Sequence, residues 1–308
     1  MKLFITGGAG FLGKEIVKSY YGNAEITVYS RDEAKHYFLK KQFPKIKCII
    51  GDVADFNHMN RAAKGHTHGI FAASLKQIEA VDQNVDIAIR TIINGATNSR
   101  KVAEENNFKA ACFISSDKSR AATTLYGAMK FIGGEAFIVN AEESNVKLTT
   151  AIYGNVLNST GSIIPLILDS IKNNYELKLY SKDMTRFMID VDEAISLIQN
   201  SFNFTGFNII PNIPSFKVSD LFEIYKEEFG LKYSIGKPRI SEKIHEIMIA
   251  KEEIPRTYLD KKTNMFMMHY HDVQLKSNIN FEEFSSENVV VSKQQLYNKL
   301  KLNNFFRV

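Results

Sequence analysis

The sequence predicts an α/β protein with one large, doubly wound parallel sheet and a smaller α/β lobe built from the C-terminal part of the chain. Short apolar segments, typical of buried strands, alternate with segments that have apolar residues at helical spacing over the first half of the chain. Strands that alternate with helices pair in parallel and are covered on both faces. With 308 residues, 44% of them hydrophobic, the chain is long enough for such a domain and a second lobe.

The elements follow from this alternation. Strands are expected at residues 2–6, 25–29, 46–50, 69–73, 110–114 and 147–152. The helices between them are expected at residues 11–20, 32–42, 57–63, 85–106 and 126–141. After Tyr153 the alternation weakens, and helices are expected at residues 162–173, 192–201 and 219–229. We assign residues 1–156, with 186–206 returning to them, to the larger domain, and residues 157–185 and 207–308 to the smaller lobe.

Charge, cysteine content and hydropathy exclude several classes of protein. The formal charge of +5 comes from charged residues that are interspersed along the chain, so nucleic acid is not an expected partner. Cys48 and Cys112 lie within predicted core strands, which argues against a disulfide framework or a cysteine metal site. The apolar runs are shorter than the roughly 18 residues that cross a bilayer. We therefore expect a cytoplasmic protein without a membrane partner.

Glycines recur three residues apart after the first strand, at Gly7, Gly10 and Gly13. A tight turn between a strand and a helix lets backbone N–H groups approach a pyrophosphate at the positive end of the helix. A flexible loop would explain an isolated motif, but the position after the first strand of an alternating series favours dinucleotide binding. The sequence thus predicts a Rossmann-type sheet in which these glycines, with Phe11 and Leu12, contact the cofactor.

The end of the second strand indicates which dinucleotide is bound. An acidic residue there holds the ribose hydroxyls of NAD, whereas this chain has Ser30 and Arg31, with Lys35 nearby. The Arg31 guanidinium suits the extra phosphate of NADP, and Asp32 leaves NAD as the alternative. Asp52, after the third strand, either accepts a hydrogen bond from the adenine amino group or is an ordinary loop carboxylate.

Tyr126 and Lys130 are four residues apart, which places a phenol and an ammonium on one face of a predicted helix. A phenol with an ordinary pKa of about 10 becomes a base near neutral pH only where positive charge stabilises the phenolate. Lys130 and an oxidised nicotinamide would supply that charge. Ser116 comes ten residues before Tyr126, at the end of the fifth strand. The three residues are predicted to hold a sugar hydroxyl over the nicotinamide.

Asp117 and Lys118 follow Ser116 directly and favour elimination over simple redox chemistry. A dehydratase needs an acid that expels a hydroxyl and a base that removes the proton beside a transient ketone. Asp117 would be the acid and Lys118 the base, provided that burial and a neighbouring cation, Lys76 or Lys130, favour the neutral amine. The alternative is an Asp-Lys surface turn.

These residues, with others in the same order along the chain, resemble the UDP-N-acetylglucosamine 4,6-dehydratases of polysaccharide and flagellin-glycan biosynthesis, including the type that also inverts C5. The matching segments are residues 7–13, 29–33, 51–53, 72–76, 115–118, 125–130, 153–156, 184–187 and 242–246, together with Arg239. So many short matches in one order are more specific than any single motif.

The resemblance implies a reaction cycle. Tyr126 takes the proton of the C4 hydroxyl while hydride passes to NADP. Lys118 then removes the C5 proton, Asp117 protonates the departing C6 hydroxyl, and hydride returns to C6. Inverting members reprotonate C5 from the opposite face. The resemblance also implies assembly into homo-oligomers, either dimers or hexamers.

The same resemblance assigns the remaining contacts. The further cofactor-binding residues that it implies are Val53, Ala72, Ala73 and Lys76. The implied contacts to the UDP-sugar are Lys76, Asn155, Arg186, Arg239 and Glu242. Among them, Arg186 and Arg239 match the charge of the diphosphate.

Several positions depart from the family pattern. Ile92 stands where an asparagine is common, so a proton relay through that asparagine would need the nearby Asn94. Ile152 replaces an arginine that is often found before the Tyr-Gly-Asn-Val segment, and Thr160 replaces one that is often found in a Ser-Arg-Gly-Ser segment. The usual Asn-Pro is absent from residues 120–124. These changes spare the expected chemistry but are expected to alter substrate binding, stereochemical outcome or activity.

Two other functions fit the same scaffold. A nucleotide-sugar 4-epimerase or reductase would not need Asp117 and Lys118. A non-catalytic NADP-binding sensor or interaction subunit would be expected to lack Tyr126 or Lys130, so their presence argues against it. No metal is predicted, because the histidine pairs lack a third ligand of suitable type. Those pairs are His66 with His68 and His269 with His271.

Overall fold

The structure, a computed structural model, describes residues 1–238, 241–271 and 273–306. Its strands are β1 Lys2–Thr6, β2 Glu25–Ser30, β3 Lys47–Ile50, β4 His68–Phe71, β5 Ala110–Ile114, β6 Lys147–Ala151, β7 Asn155–Val156, β8 Leu177–Leu179, β9 Thr185–Ile189, β10 Phe207–Pro211, β11 Ser215–Lys217, β12 Tyr233–Ile235, β13 Ile247–Ile249, β14 Thr257–Asp260, β15 Met265–His269 and β16 Phe284–Ser285. Its α-helices are α1 Phe11–Tyr20, α2 Glu33–Gln42, α3 Phe56–Ala62, α4 Ile78–Gln83, α5 Val85–Ala88, α6 Gly95–Glu105, α7 Leu125–Ile138, α8 Ile163–Asn173, α9 Val191–Ser201, α10 Val218–Phe229 and α11 Lys293–Leu302.

The largest sheet in the described residues has nine strands, in the order β14-β15-β10-β6-β5-β4-β1-β2-β3. The strands from β10 to β3 are parallel, and β15 and β14 add antiparallel at one edge. The strand order reverses between β1 and β4, where a doubly wound sheet opens a crevice for ligands beyond the carboxyl ends of its strands. The prediction of a Rossmann-type sheet is confirmed.

Both faces of this sheet are covered. Along β1, Leu3 and Ile5 belong to a buried cluster with Ile16 of α1, whereas Phe4 belongs to a second cluster with Phe137 of α7. Successive side chains of a strand point to opposite faces, so the continuous apolar run of β1 serves two layers of helices at once.

A third buried cluster forms the core of the smaller lobe. It includes Ile167 of α8, Leu221 of α10 and Leu296 of α11. The strands β10, β14 and β15 fall in the range assigned to this lobe, yet they lie in the nine-stranded sheet. The reason is that β10 pairs with β6 and carries β15 and β14 with it. The rest of the division into two domains stays a prediction.

Most of the helices lie close to the ranges expected from apolar spacing. The helix expected at residues 85–106 is interrupted by the π-helical segment Ile89–Asn94 between α5 and α6. Sequence reasoning missed α4, whose six residues are too few for a clear period. Among the residues described, none of the helices combines the length and the apolar character that a membrane span requires.

Candidate active site

The glycine loop lies between β1 and α1 and packs against the end of β4. Gly7 has a φ of +70°, in the left-handed region, and a Cβ there would lie 2.8 Å from the backbone nitrogen of Ala73. A Cβ at Gly13 would overlap the Gly8 Cα. Gly10 is the N-cap of α1 and offers no side chain, so the first N–H groups of the helix can bind an anion. The loop therefore fits the phosphates of a dinucleotide.

The other backbone positions predicted at the cofactor surround this loop. Phe11 and Leu12 begin α1 and are partly buried. The N–H groups of Ala72 and Ala73 donate to the backbone and side-chain oxygens of Thr6 at 3.2 Å and 3.3 Å. Val53 is buried in the cluster that holds α6 and α7 against the sheet.

The side chains predicted to select the dinucleotide lie at the end of β2, and two already have partners. The Ser30 hydroxyl is 2.6 Å from Nε2 of His36, a buried residue that sequence reasoning did not single out. The Lys35 ammonium is 2.8 Å from the Asp32 carboxylate. The Arg31 side chain is 52% exposed, so its guanidinium is accessible to a phosphate although it lies near the Asp52 carboxylate.

Asp52 is tied to its own loop. Its Oδ1 accepts a hydrogen bond from the Ala54 N–H at 2.9 Å, and its Oδ2 lies 3.8 Å from Nη1 of Arg31. The Tyr29 hydroxyl donates to the Asp52 carbonyl at 3.1 Å. Asp52 thus shapes the loop after β3, and its bond to adenine stays a prediction.

A short turn after β5 brings Ser116, Asp117 and Lys118 against the start of α7. The Ser116 hydroxyl accepts a hydrogen bond from the Lys118 N–H at 3.3 Å, and the Asp117 N–H donates to the Tyr153 carbonyl at 3.0 Å. A Cβ at Gly127 would overlap the Lys118 carbonyl, so the glycine lets α7 approach the turn. Two segments ten residues apart therefore close into one site.

Asp117 is fully buried, whereas a surface turn would expose it. Its Oδ1 accepts hydrogen bonds from the Ser116 hydroxyl at 2.9 Å and the Lys118 ammonium at 3.2 Å. Its Oδ2 has no hydrogen-bond partner among the described residues. Burial raises the pKa of Asp117 above its ordinary value, against the opposing effect of Lys118. A raised pKa makes it easier for the Asp117 carboxylate to take up a proton, as a general acid must before it protonates a leaving group.

Lys118 is held between two carboxylates. Its Nζ lies 3.2 Å from Asp117 Oδ1 and 3.3 Å from Oε1 of Glu246. Burial alone would lower the pKa of Lys118, but the two carboxylates outweigh it and raise the pKa above its ordinary value. The expectation that neighbouring cations favour the neutral amine is therefore wrong for this arrangement. Lys76 donates to the Thr160 carbonyl and Lys130 to the Ile114 carbonyl instead.

Tyr126 and Lys130 lie side by side on α7 and are both buried. Burial raises the pKa of Tyr126 to about 12, although the charge of Lys118 opposes the shift. Burial lowers the pKa of Lys130 to about 7, and its Nζ donates to the Ile114 carbonyl at 2.8 Å. Deprotonation of Tyr126 therefore needs further positive charge in the site.

The chain segment 241–246 forms the opposite wall of a cleft over Lys118. Arg186 of β9 holds this wall: its Nη1 donates to the Ile244 carbonyl at 3.1 Å and its Nη2 donates to Oε1 of Glu242 at 2.5 Å. Two of the five residues predicted to bind the UDP-sugar, Arg186 and Glu242, thus bind each other. Arg239, predicted to contact the diphosphate, lies outside the described residues.

Asn155 and Lys76 are two further residues that are predicted to contact the UDP-sugar. The Asn155 side-chain oxygen is buried and has no hydrogen-bond partner among the described residues, so it can accept a bond from a ligand. Lys76 reaches across to the Thr160 carbonyl and ties its loop to the segment before α8.

Ile92 and Asn94 do not supply the proton relay that an asparagine provides in the family pattern. Ile92 is fully buried in a cluster with Tyr126 and Met129. Asn94 is exposed, and its carbonyl accepts a bond from the Thr97 hydroxyl. The side of Tyr126 that packs on Ile92 is therefore apolar, and Asn94 does not take the place of the missing amide.

The histidine pairs have ordinary structural partners. His66 contacts the Thr27 hydroxyl at 2.8 Å and the Ala63 carbonyl at 2.9 Å. His269 stacks on Tyr270 with ring centroids 4.8 Å apart. The described residues include no group of three or more His, Cys, Asp or Glu that could hold a metal ion.

The sheet order, the glycine loop and the Ser116, Tyr126 and Lys130 set define an extended short-chain dehydrogenase/reductase. The chain belongs to the family described as polysaccharide biosynthesis protein, whose model matches residues 3–268. The resemblance found from the motifs is thus confirmed.

Individual relatives agree with this assignment. The chain is 32% identical to the UDP-N-acetylglucosamine 4,6-dehydratase (inverting) of Campylobacter jejuni, over 83% of this chain and 79% of that protein. It is 31% identical to the UDP-glucose 4-epimerase of Rickettsia bellii, over 82% and 79% of the two chains. The X-ray structure of Pen from Bacillus thuringiensis superposes with a TM-score of 0.91 at 24% identity, covering 99% of this chain and 98% of that one.

Proposed function

We propose that this protein is an NADP-dependent UDP-N-acetylglucosamine 4,6-dehydratase that inverts C5 and forms a UDP-4-keto-6-deoxy-HexNAc. The Campylobacter jejuni relative, named for this reaction, supports the substrate and the chemistry. The glycine loop supports a dinucleotide, and the exposed Arg31 supports NADP over NAD. The proposal includes a cytoplasmic homo-oligomer, either a dimer or a hexamer.

The ion pair between the fully buried Asp117 and the partly buried Lys118, beside Tyr126, is the observation that carries the proposal. Burying a carboxylate costs free energy unless it is paired, so such a pair is expected where the chemistry needs it. A reductase or 4-epimerase uses only Ser116, Tyr126 and Lys130. Water elimination needs an acid and a base in addition.

The resting site must exchange a proton before elimination. Lys118 as an ammonium cannot take the C5 proton, and Asp117 as a carboxylate cannot protonate the leaving hydroxyl. Transfer of one proton from Lys118 Nζ to Asp117 Oδ1, 3.2 Å away, gives a neutral amine and a carboxylic acid together. A bound sugar would favour this transfer by excluding water, because low polarity disfavours the charged pair.

The remaining roles follow from the positions of the side chains. Tyr126 takes the proton of the C4 hydroxyl, with Ser116 as its hydrogen-bond partner. A bound nicotinamide would accept hydride from C4 and return it to C6. Asn155 offers its free oxygen to a hydroxyl or N–H of the substrate. Arg186 and Glu242 would contact the UDP-sugar by exchanging part of their mutual bond for bonds to it.

Incubation of the purified protein with UDP-N-acetylglucosamine in heavy water tests the proposal. We expect a product that has lost one water and carries solvent deuterium at C5, detected by mass spectrometry and NMR. Lys118→Ala should abolish dehydration while binding of NADPH, followed by fluorescence, stays intact. Lys251→Ala, which removes a lysine whose side chain is 74% exposed, should keep full activity. Dehydration by Lys118→Ala would remove the role assigned to that residue.

A nucleotide-sugar 4-epimerase is the second candidate, and the raised pKa of Lys118 favours it, since epimerisation needs no neutral amine at that position. The relative from Rickettsia bellii supports it as well. The same incubation separates the two functions: an epimerase would invert C4 without loss of water and without deuterium at C5.

A further inference from the structure

Glu246 is a buried carboxylate in the catalytic pocket that sequence reasoning assigned no role. It is 3% exposed and precedes β13, far along the chain from the turn that carries Lys118. Its Oε1 lies 3.3 Å from the Lys118 ammonium and 3.9 Å from Nε of Arg186. Its Oε2 lies 3.7 Å from Nζ of Lys243 and accepts no hydrogen bond within the described residues.

The position of Glu246 is fixed through its backbone. Its N–H donates to the Ser286 hydroxyl at 2.8 Å, and the Ser286 N–H donates back to the Glu246 carbonyl at 2.8 Å. The Ser286 hydroxyl is also 2.7 Å from the hydroxyl of Thr185 on β9. The carboxylate is therefore delivered to Lys118 by a rigid frame, and a change at its side chain leaves these bonds in place.

We propose that Glu246 is a positioning residue that holds the Lys118 ammonium beside Asp117 in the resting site and keeps its proton in place until the substrate is bound. This inference rests on the proposed function, because it concerns the base of the elimination. The carboxylate attracts the charged amine directly, and it also opposes the proton transfer that would leave Lys118 neutral.

The charged groups around Lys118 define what the Glu246 carboxylate contributes. Asp117 and Glu246 favour the ammonium, and Arg186 disfavours it. Tyr126 favours it only as phenolate. Arg186 is in turn paired with Glu242, and Lys243 faces Glu246. Loss of the Glu246 charge therefore leaves Lys118 with one carboxylate partner instead of two.

Two substitutions separate charge from shape. Glu246→Gln keeps an oxygen that can accept the Lys118 hydrogen bond but removes the charge, whereas Glu246→Ala removes both. Glu287→Gln is the matched control, because the Glu287 carboxylate belongs to the same region but is 64% exposed and lies 3.8 Å from Nε2 of His245 rather than beside Lys118. Circular dichroism and thermal unfolding check that each variant is folded.

The first measurement needs no substrate. Protein with ¹³C-labelled lysine is titrated by NMR, and the Lys118 signal is assigned by its loss in Lys118→Arg. We expect Lys118 to titrate at least about one pH unit lower in Glu246→Gln than in the wild type, and to be unchanged in Glu287→Gln. An unchanged Lys118 titration in folded Glu246→Gln would overturn the proposal.

The second measurement is the pH profile of deuterium incorporation at C5. In Glu246→Gln, the acidic limb of this profile should move to lower pH by about as much as the Lys118 titration does. In Glu246→Ala, kcat should fall at least tenfold, because the Lys118 amine is no longer held in place. If the acidic limb of the Glu246→Gln profile lies at the same pH as in the wild type, the proposal is contradicted. If the wild type does not dehydrate the substrate but Lys118 still titrates lower in Glu246→Gln, the proposed function fails and the role of Glu246 in holding Lys118 stands.

Discussion

The buried ion network around Arg120 gives a prediction whose size follows from the structure. Arg120 follows the catalytic turn and is 2% exposed. Its Nη1 donates to Oε1 of Glu253 at 2.8 Å, and its Nη2 donates to Oε1 of Glu135 on α7 at 3.1 Å. We expect Arg120→Met, which keeps much of the side-chain volume but removes the charge, to destabilise the fold strongly.

Removal of one partner from a buried ion pair costs about 3–5 kcal/mol, because the other charge stays buried without compensation. Both carboxylates keep a second partner here: Arg256 lies 2.8 Å from Glu253, and the Asn208 amide donates to Glu135 at 3.0 Å. The cost should therefore be near the lower limit, about 3 kcal/mol. For a chain of 308 residues, with an unfolding entropy of about 2.1 cal/mol/K per residue, that corresponds to a decrease in Tm of roughly 5 °C.

Chemical and thermal unfolding of the two proteins measures this difference. The control is Lys251→Ala, which removes an exposed ion pair to Glu252 and should cost less than about 1 kcal/mol. The double variant Arg120→Met with Glu253→Gln should lose less free energy of unfolding than the sum of the losses in the two single variants. The reason is that both substitutions remove the same interaction. If Arg120→Met is as stable as the control Lys251→Ala, this account of the ion network is refuted.

Three further predictions concern the cofactor and Lys130. Gly13→Ala should weaken NADPH binding at least about tenfold, because the new Cβ overlaps the backbone of the phosphate loop. Gly236→Ala, whose Cβ would lie 3.3 Å from the movable Tyr180 side chain, should bind normally in the same fluorescence titration. Arg31→Ala should weaken the binding of NADPH by about tenfold and the binding of NADH by less than about twofold. Equal losses of affinity for the two cofactors would contradict a contact between Arg31 and the extra phosphate. Because burial lowers the pKa of Lys130 to about 7 from 10.5, the unfolded chain binds more protons than the folded apoprotein between these pH values. This lysine therefore makes the free energy of unfolding rise with pH across that window, and Lys130→Met should flatten the slope in denaturant titrations at several pH values.

The parallel sheet and the cofactor loop could be predicted because their signals are local. The apolar run of β1, the glycines at positions 7, 10 and 13, and the helical spacing after them each fall within a few residues. The spacing of Tyr126 and Lys130 likewise fixes their shared helix face without knowledge of the rest of the chain.

The protonation of the catalytic pair could not be predicted, because it depends on a contact between distant segments. Lys118 meets Glu246 because the pairing of β13 with β16, the bonds of Ser286 and the bonds of Arg186 bring the segment that carries Glu246 over the catalytic turn. No periodicity or spacing links these positions. For the same reason the sequence did not reveal that β14 and β15 extend the main sheet, since they join it through β10.

Turnover of UDP-N-acetylglucosamine that carries deuterium at C4 tests the central claim most directly. In ordinary water, the proposed cycle moves that deuterium within one molecule, so the product should carry it in the C6 methyl group. Deuterium that remains at C4 in an epimerised sugar, or that is lost to solvent, would contradict elimination with return of hydride to C6.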